Sequence, residues 1–290
     1  MKVSGFTFVR NAVKFDYPVI ESIRSILPLC DELVVAVGKS DDTTRDEVGS
    51  VDSGKIRIID TVWDDTLHEG GRVLAQETDK AFDNIDPSSD WAFYIQADEV
   101  IHEKYHEIIR KAMNDFLEDR HVEGLLFNFL HFYGSYDFTG DSLSWYRKEV
   151  RIIRNDHTIR SYRDAQGFRK NEKPLYVTPI DAFVYHYGWV KPPALLQAKL
   201  ESFHKLWHDE QWIEQNLPKS EVFDYSSIDS LAKFVGTHPA LMQDRIARKN
   251  WQFTFDPTLK KTSLKNRILA FFEKLTGWRI GEYTNYRIIR

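Results

Sequence analysis

The chain has 290 residues and carries 39 Lys and Arg against 44 Asp and Glu, for a net charge of -5. That balance excludes a general nucleic-acid binder, which needs clustered positive charge, and the single Cys30 excludes an internal disulfide framework or a cysteine-built zinc site. The length suffices for a large α/β core with an appended segment, and no apolar run approaches the roughly 20 residues needed to span a bilayer.

Met1 to Thr7 runs directly into a strand-like pattern, without the apolar segment and cleavage site of a signal peptide, so a cytoplasmic protein is expected. Val3 to Val9 reads as a first strand, and Pro18, Ile20, Ile23 and Leu27 share a helical face that stops near Pro28. Leu33 to Val37 is a continuous apolar run closed by Gly38, the pattern of a strand buried on both faces. Ile56 to Ile59 gives a third strand, residues 70–83 a helix and Trp91 to Ile95 a fourth strand. Strands alternating with helices at this spacing predict βαβ units and a doubly wound, mostly parallel sheet flanked by helices.

Residues 102–119 read as helix and Gly124 to Phe132 as a further strand. From about 133 to 182 the pattern breaks into short pieces rich in Arg, Asp and Tyr, which reads as a long irregular region suited to acceptor contacts. After Pro192-Pro193, Leu196, Leu200, Phe203 and Trp207 recur at helical intervals. The tail is basic: Lys260, Lys261, Lys265, Arg267, Lys274, Arg279, Arg287 and Arg290 face only Glu273 and Glu282. With Ile268, Leu269, Phe271, Phe272 and Leu275 as its apolar side, it reads either as an amphipathic helix for an anionic membrane surface or as a helix packed on the domain with a solvated basic face.

The chemistry concentrates at strand ends. The run Trp91 to Ile95 stops abruptly in Gln96-Ala97-Asp98-Glu99, at the edge where open α/β sheets bind ligands. Asp98 offers a hard oxygen to Mg²⁺ or Mn²⁺, and such a cation neutralises charge on a departing diphosphate. Asp41, in the polar turn Gly38-Lys39-Ser40-Asp41-Asp42-Thr43-Thr44, reads either as a ligand for a nucleobase or ribose or as a helix N-cap. His186, in Val184-Tyr185-His186-Tyr187-Gly188-Trp189, reads as a further metal ligand or as a satisfied core histidine.

Four segments in order, Phe8-Val9-Arg10-Asn11, Ser40-Asp41-Asp42-Thr43, Gln96-Ala97-Asp98-Glu99 and His186-Tyr187-Gly188, resemble a family 2 glycosyltransferase of the GT-A fold, over roughly residues 1–190. The resemblance implies a GT-A-like catalytic domain in 1–190, with a nucleotide-sugar half to about 100 and an acceptor half over 101–190, followed by a helical extension in 191–290. It implies that Val9, Arg10, Asn11 and Asp41 hold the nucleoside, that Gln96, Ala97 and Asp98 meet ribose and diphosphate, and that Asp98 and His186 bind a divalent cation, Mn²⁺ or Mg²⁺. Gln96 stands where the family has the first acid of its Asp-x-Asp motif, so Asp98 has to carry the metal without that partner. Arg72, on the helix before the key strand, takes the place of a basic residue near the diphosphate.

An inverting enzyme of this family needs a carboxylate to accept the acceptor's proton. Asp164 is the best-placed acid, with Glu99, Glu172 and Asp181 as rivals; Glu99 is otherwise expected to contact sugar or acceptor. An ion pair with Arg160 or Arg163 is the structural alternative for Asp164. The expected activity is transfer from a nucleotide-diphosphate sugar to a hydroxyl of a glycan or lipid-linked acceptor in cell-surface polysaccharide assembly, at the cytoplasmic face of a membrane. A GT-A domain that binds without turnover is the alternative. A sugar-1-phosphate nucleotidyltransferase fits less well, because Arg10-Asn11-Ala12-Val13 lacks the glycine-rich loop that cradles a triphosphate.

Overall fold

The computed structural model describes residues 1–290 except 65, 68, 209, 217–219, 259, 260, 262, 278 and 290. Lys260 and Arg290 of the basic tail therefore lie outside the described residues. In chain order the elements are β1 (Val3–Val9), α1 (Val19–Ile26), β2 (Glu32–Gly38), α2 (Thr44–Gly49), β3 (Ile56–Thr61), α3 (Arg72–Phe82), β4 (Trp91–Tyr94), β5 (Glu99–Ile101), α4 (His106–Asp115) and β6 (Gly124–Tyr133). They continue with β7 (Phe138–Gly140), β8 (Lys148–Arg154), β9 (Ile159–Tyr162), β10 (Gly167–Lys170), β11 (Lys173–Trp189), α5 (Pro193–His204), α6 (Glu210–Asn216), β12 (Leu231–Lys233), α7 (Gln243–Ala247), α8 (Leu264–Thr276) and β13 (Tyr286–Ile288).

The strands form one large sheet whose main path runs β3-β2-β1-β4-β8-β6-β11-β10-β9. β3, β2, β1 and β4 are mutually parallel, as the βαβ pattern requires, and β8 enters antiparallel between β4 and β6. β6 and β11 return to parallel pairing. The fold is the expected α/β one. Alternate residues of β2 explain its unbroken apolar run: Leu33, Val35 and Val37 join the core under α1 and α4, while Val34 and Ala36 join the core under α3.

The region over 133–182 is not irregular. It holds β7 to β10 and most of the long β11. Its pattern misleads because buried charges interrupt the apolar periodicity. Arg151 and Arg154 of β8 are both buried. Arg154 lies on the Trp91 ring and donates to the carbonyls of Leu117, Asp119 and Val122, closing the chain beyond α4. The segment after 190 is likewise not purely helical: β12 pairs with β7, and β13 pairs with β11. Arg245 of α7 is tied to Asp16 and Glu21, which fastens this segment across the mouth of the parallel half.

Candidate active site

At the C-terminal ends of β1 and β4 lies a cavity of about 510 Å³. Val9, Arg10, Gln96, Ala97, Asp98, Asp164 and His186 of the expected residues line it; Asn11, Asp41, Arg72 and Glu99 do not. Its position outside the carboxyl edge of a parallel sheet is the usual place for a ligand in open α/β folds.

Asp98 sits where β5 turns back against β11, which pairs Glu99 with His186. The same pairing lets Tyr187 N–H donate to the Asp98 carbonyl at 2.8 Å. Gly188 completes the arrangement, because a Cβ there would lie 2.6 Å from both Asp98 Oδ2 and His186 Nε2. His186 is oriented from behind. His131 Nε2 faces the Tyr146 carbonyl at 2.8 Å and has to be its N–H donor, so His131 Nδ1 accepts from His186 Nδ1–H at 3.1 Å. Burial, then the neighbouring His186, pushes the His131 pKa down to about 3, which keeps that acceptor available. Nε2 of His186 is then the nitrogen facing Asp98, at 3.6 Å.

The cation at this point comes from α5, far along the chain. Lys199 of α5 donates from Nζ to Asp98 Oδ2 at 3.2 Å and to the Gly188 carbonyl at 3.0 Å, and lies 4.9 Å from the centre of the Tyr17 ring. Burial disfavours the Asp98 charge, but Lys199 and His186 outweigh it and hold the carboxyl well below the usual carboxylate range. Burial also disfavours the Lys199 charge, and Tyr17 and Asp98 reverse that, raising its pKa. One signal was available: Lys199 interrupts the face marked by Leu196, Leu200 and Phe203, and a charge on an apolar stripe needs a buried partner.

The donor set fits a divalent cation poorly. Asp98 Oδ2 already faces both Lys199 Nζ and His186 Nε2, and among the described residues no three of His, Cys, Asp and Glu gather as a metal site. Gln96 supplies no second carboxylate, and its Nε2 is turned to the Ala165 carbonyl and the Tyr94 hydroxyl, each at 3.2 Å. An amide is required there, since a carboxylate has no proton to give a carbonyl.

Gln96 thereby links the β4 end to the turn carrying Asp164. Asp164 is half-buried with Oδ1 sealed from solvent and lacking a hydrogen-bond partner, and burial raises its pKa. It is not ion-paired with Arg160, which is turned to Asp83 at 2.5 Å. Gly71, at φ 70°, lets the turn approach α3, since a Cβ there would lie 2.9 Å from the Asp164 Cβ. Of the rival acids, Glu172 and Asp181 are exposed and do not line the cavity. Glu99 is fully buried, with both oxygens taken by Arg151 at 2.6 and 2.8 Å. The expected sugar or acceptor contact of Glu99 is thus corrected: it anchors β5 to β8, and Arg151 is the member of the pair that reaches the cavity wall.

At the first strand ends, Arg10 lies over the Trp63 ring at 4.2 Å, giving the cavity a flat aromatic and cationic wall. Asn11, in the left-handed region at φ 55°, stitches two turns together: its N–H donates to Ser40 Oγ and its side chain accepts from the Asp41 N–H. Asp42, not Asp41, supports the start of α2 by accepting from the Thr44 N–H at 2.9 Å. Asp41 is exposed beside Lys14, and Arg72 is exposed on the first turn of α3.

No family model matches the chain, and no curated protein matches it. Solved structures similar to it include S. aureus TarS, 15% identical at a TM-score of 0.40 over 70% of this chain and 39% of that one. The TarS 1–349 fragment in complex with UDP gives 15% identity and a TM-score of 0.41 over 69% of this chain and 64% of the fragment. The chain thus spans less than two thirds of the length of either. Glucosyl-3-phosphoglycerate synthase from Mycobacterium tuberculosis, solved with Mn²⁺, UDP and phosphoglyceric acid, is 18% identical at a TM-score of 0.30, over 45% of this chain and 43% of that one. A 4-diphosphocytidyl-2C-methyl-D-erythritol synthase from Anaerococcus prevotii is 10% identical at 0.34, over 53% and 71%. Likeness at this level assigns no activity, which has to be argued from the site.

Proposed function

We propose that the protein is an inverting glycosyltransferase that moves a sugar from a nucleotide-diphosphate donor to a hydroxyl of a glycan or lipid-linked acceptor. One observation carries the reading: Arg10, Lys199, His186 and the half-buried Asp164 line one cavity at the carboxyl ends of β1 and β4. Cations there suit a diphosphate, the Trp63 wall suits a base, and a half-buried carboxylate suits a general base. In the reaction, the acceptor oxygen bonds to the anomeric carbon as the bond from that carbon to the β-phosphate oxygen breaks. The bonding pair leaves with the diphosphate, and the acceptor proton passes to Asp164.

Asp41 and Arg72 are exposed and stand outside the cavity lining, and a nucleoside contact for Asp41 and a diphosphate contact for Arg72 are part of the proposal. The tail supports a peripheral contact with an anionic bilayer, where a lipid-linked acceptor would be presented. Among the described residues no helix is long and apolar enough to cross a membrane.

A thermal-shift screen of UDP, GDP, CDP and dTDP sugars tests the donor class, because a ligand at 100 times its Kd stabilises the folded state by about 2.7 kcal/mol. We expect one base to raise the melting temperature in the wild type and a loss of that shift in Asp98→Ala. Pyrophosphate release from a nucleoside triphosphate and a sugar phosphate would instead identify a nucleotidyltransferase, and donor binding without sugar transfer a non-catalytic binder.

A further inference from the structure

A hard divalent ion needs several oxygen ligands at about 2.1 Å, and Mg²⁺ in particular demands near-octahedral order. This chain offers one carboxylate, whose inner oxygen faces an ammonium at 3.2 Å. A divalent ion on that oxygen would sit within a few ångströms of Nζ, and the two positive charges would repel at short range in a mostly buried site. Lys199 is not free to swing away cheaply. Its stem emerges from α5, its Nζ is also held by the Gly188 carbonyl, and its side chain is only 14% exposed. A second buried amine, Lys191, stands behind Tyr17 with its Nζ on the Asp16 carbonyl.

We propose that the Lys199 ammonium, seated on Asp98 and braced by Gly188, supplies the positive charge expected from a divalent cation, so that this chain holds a nucleoside diphosphate without metal. Asp98 then acts as the seat of a lysine and not as a metal ligand. Gln96 fits this arrangement, because without a cation to share no second acid is needed, and the position serves the Asp164 turn instead. The inference rests on the donor class proposed above.

Calorimetry on EDTA-treated full-length protein with UDP, GDP, CDP and dTDP tests it, each titration being repeated with Mn²⁺. We expect one nucleotide to bind in EDTA, with a Kd that Mn²⁺ changes by less than about threefold. Lys199→Ala should weaken binding in EDTA by about 10- to 100-fold, the range for losing a hydrogen bond to a charged group, and Lys199→Arg should restore most of it. Manganese paramagnetic resonance should show no bound ion in the wild type, with or without the nucleotide that binds; Lys199→Met supplies the same binding test if the alanine variant melts early. Nucleotide binding that appears in the wild type only with Mn²⁺ overturns the inference while leaving the glycosyltransferase reading intact. Unchanged binding by a folded Lys199→Met variant overturns it as well. Failure of every nucleotide in both conditions overturns both.

Discussion

Asp164 stands between two residues, Arg163 at φ 55° and Ala165 at φ 62°, that hold the left-handed backbone region glycine normally takes. Such conformations cost on the order of 1 kcal/mol or more each and persist only where surrounding contacts fix them. Here Gln96 grips the Ala165 carbonyl and Gly71 admits the turn against α3. Asp164→Asn keeps the shape and removes the base, so transfer should fall by about 10² to 10⁴ with donor Kd unchanged; steady-state kinetics beside calorimetry measure both, and wild-type turnover would exclude Asp164. Glu99 should behave in the opposite way. Glu99→Ala leaves Arg151 charged and buried without its partner, and chemical denaturation should show a loss of about 3–5 kcal/mol. Asp98 was legible because it follows a strand whose apolar run stops abruptly, and His186 because of the resemblance carried by His186-Tyr187-Gly188. Lys199 was not, because it reaches Asp98 across 101 positions of chain, and no spacing rule links a helix residue to a strand end so far away.

At the scale of elements, α8 presents Ile268, Phe271, Phe272 and Leu275, one helical stripe at i, i+3, i+4 and i+7, to solvent; Phe271 is 61% and Leu275 66% exposed. Its acid is turned inward, since Glu273 pairs with Arg147 and Arg279, and Glu282 also pairs with Arg147. Lys261, Lys265 and Lys274 remain outside. An exposed apolar stripe flanked by lysines suits an anionic lipid surface, while the Glu273 ion pair to Arg147 holds the other side of the helix on the domain. Phe271→Glu with Leu275→Glu should therefore lower co-sedimentation with phosphatidylserine-containing vesicles and leave the fold unchanged; equal partitioning of variant and wild type would remove the membrane contact. Point variants are preferable to truncation, because β13 beyond this helix is hydrogen-bonded to β11. The parallel strands were readable from their unbroken apolar runs. β8 was not, because Glu149, Arg151 and Arg154 sit inside it, and a buried charge looks like loop until its partner is known.

For the whole molecule, the interior charges set the response to pH. Glu149 of β8 is buried with Oε2 unpartnered; burial, with Glu99 and Asp164 nearby, outweighs Arg151 and raises its pKa to about 8 from the usual 4.5. A carboxyl raised in the folded state favours folding fully below pH 4.5, and this contribution is lost as pH rises through about 8. Glu149→Gln, which keeps the neutral shape, should be the more stable protein at pH 8 and above by up to a few kcal/mol, on the order of the shift, and should match the wild type near pH 4.5 in urea titrations. A constant difference across that window would mean that Glu149 is ionised throughout.

The sequence by itself determined the parallel α/β half, the acids at its strand ends and the basic amphipathic tail, because these follow from local periodicity and from where an apolar run stops. Only the tertiary structure decided what those acids face. It set Lys199 against Asp98, locked Glu99 to Arg151 and turned Gln96 toward the Asp164 turn. Each is a long-range pairing of buried polar groups, and the cost of burying a charge is met by a partner that chain order does not specify.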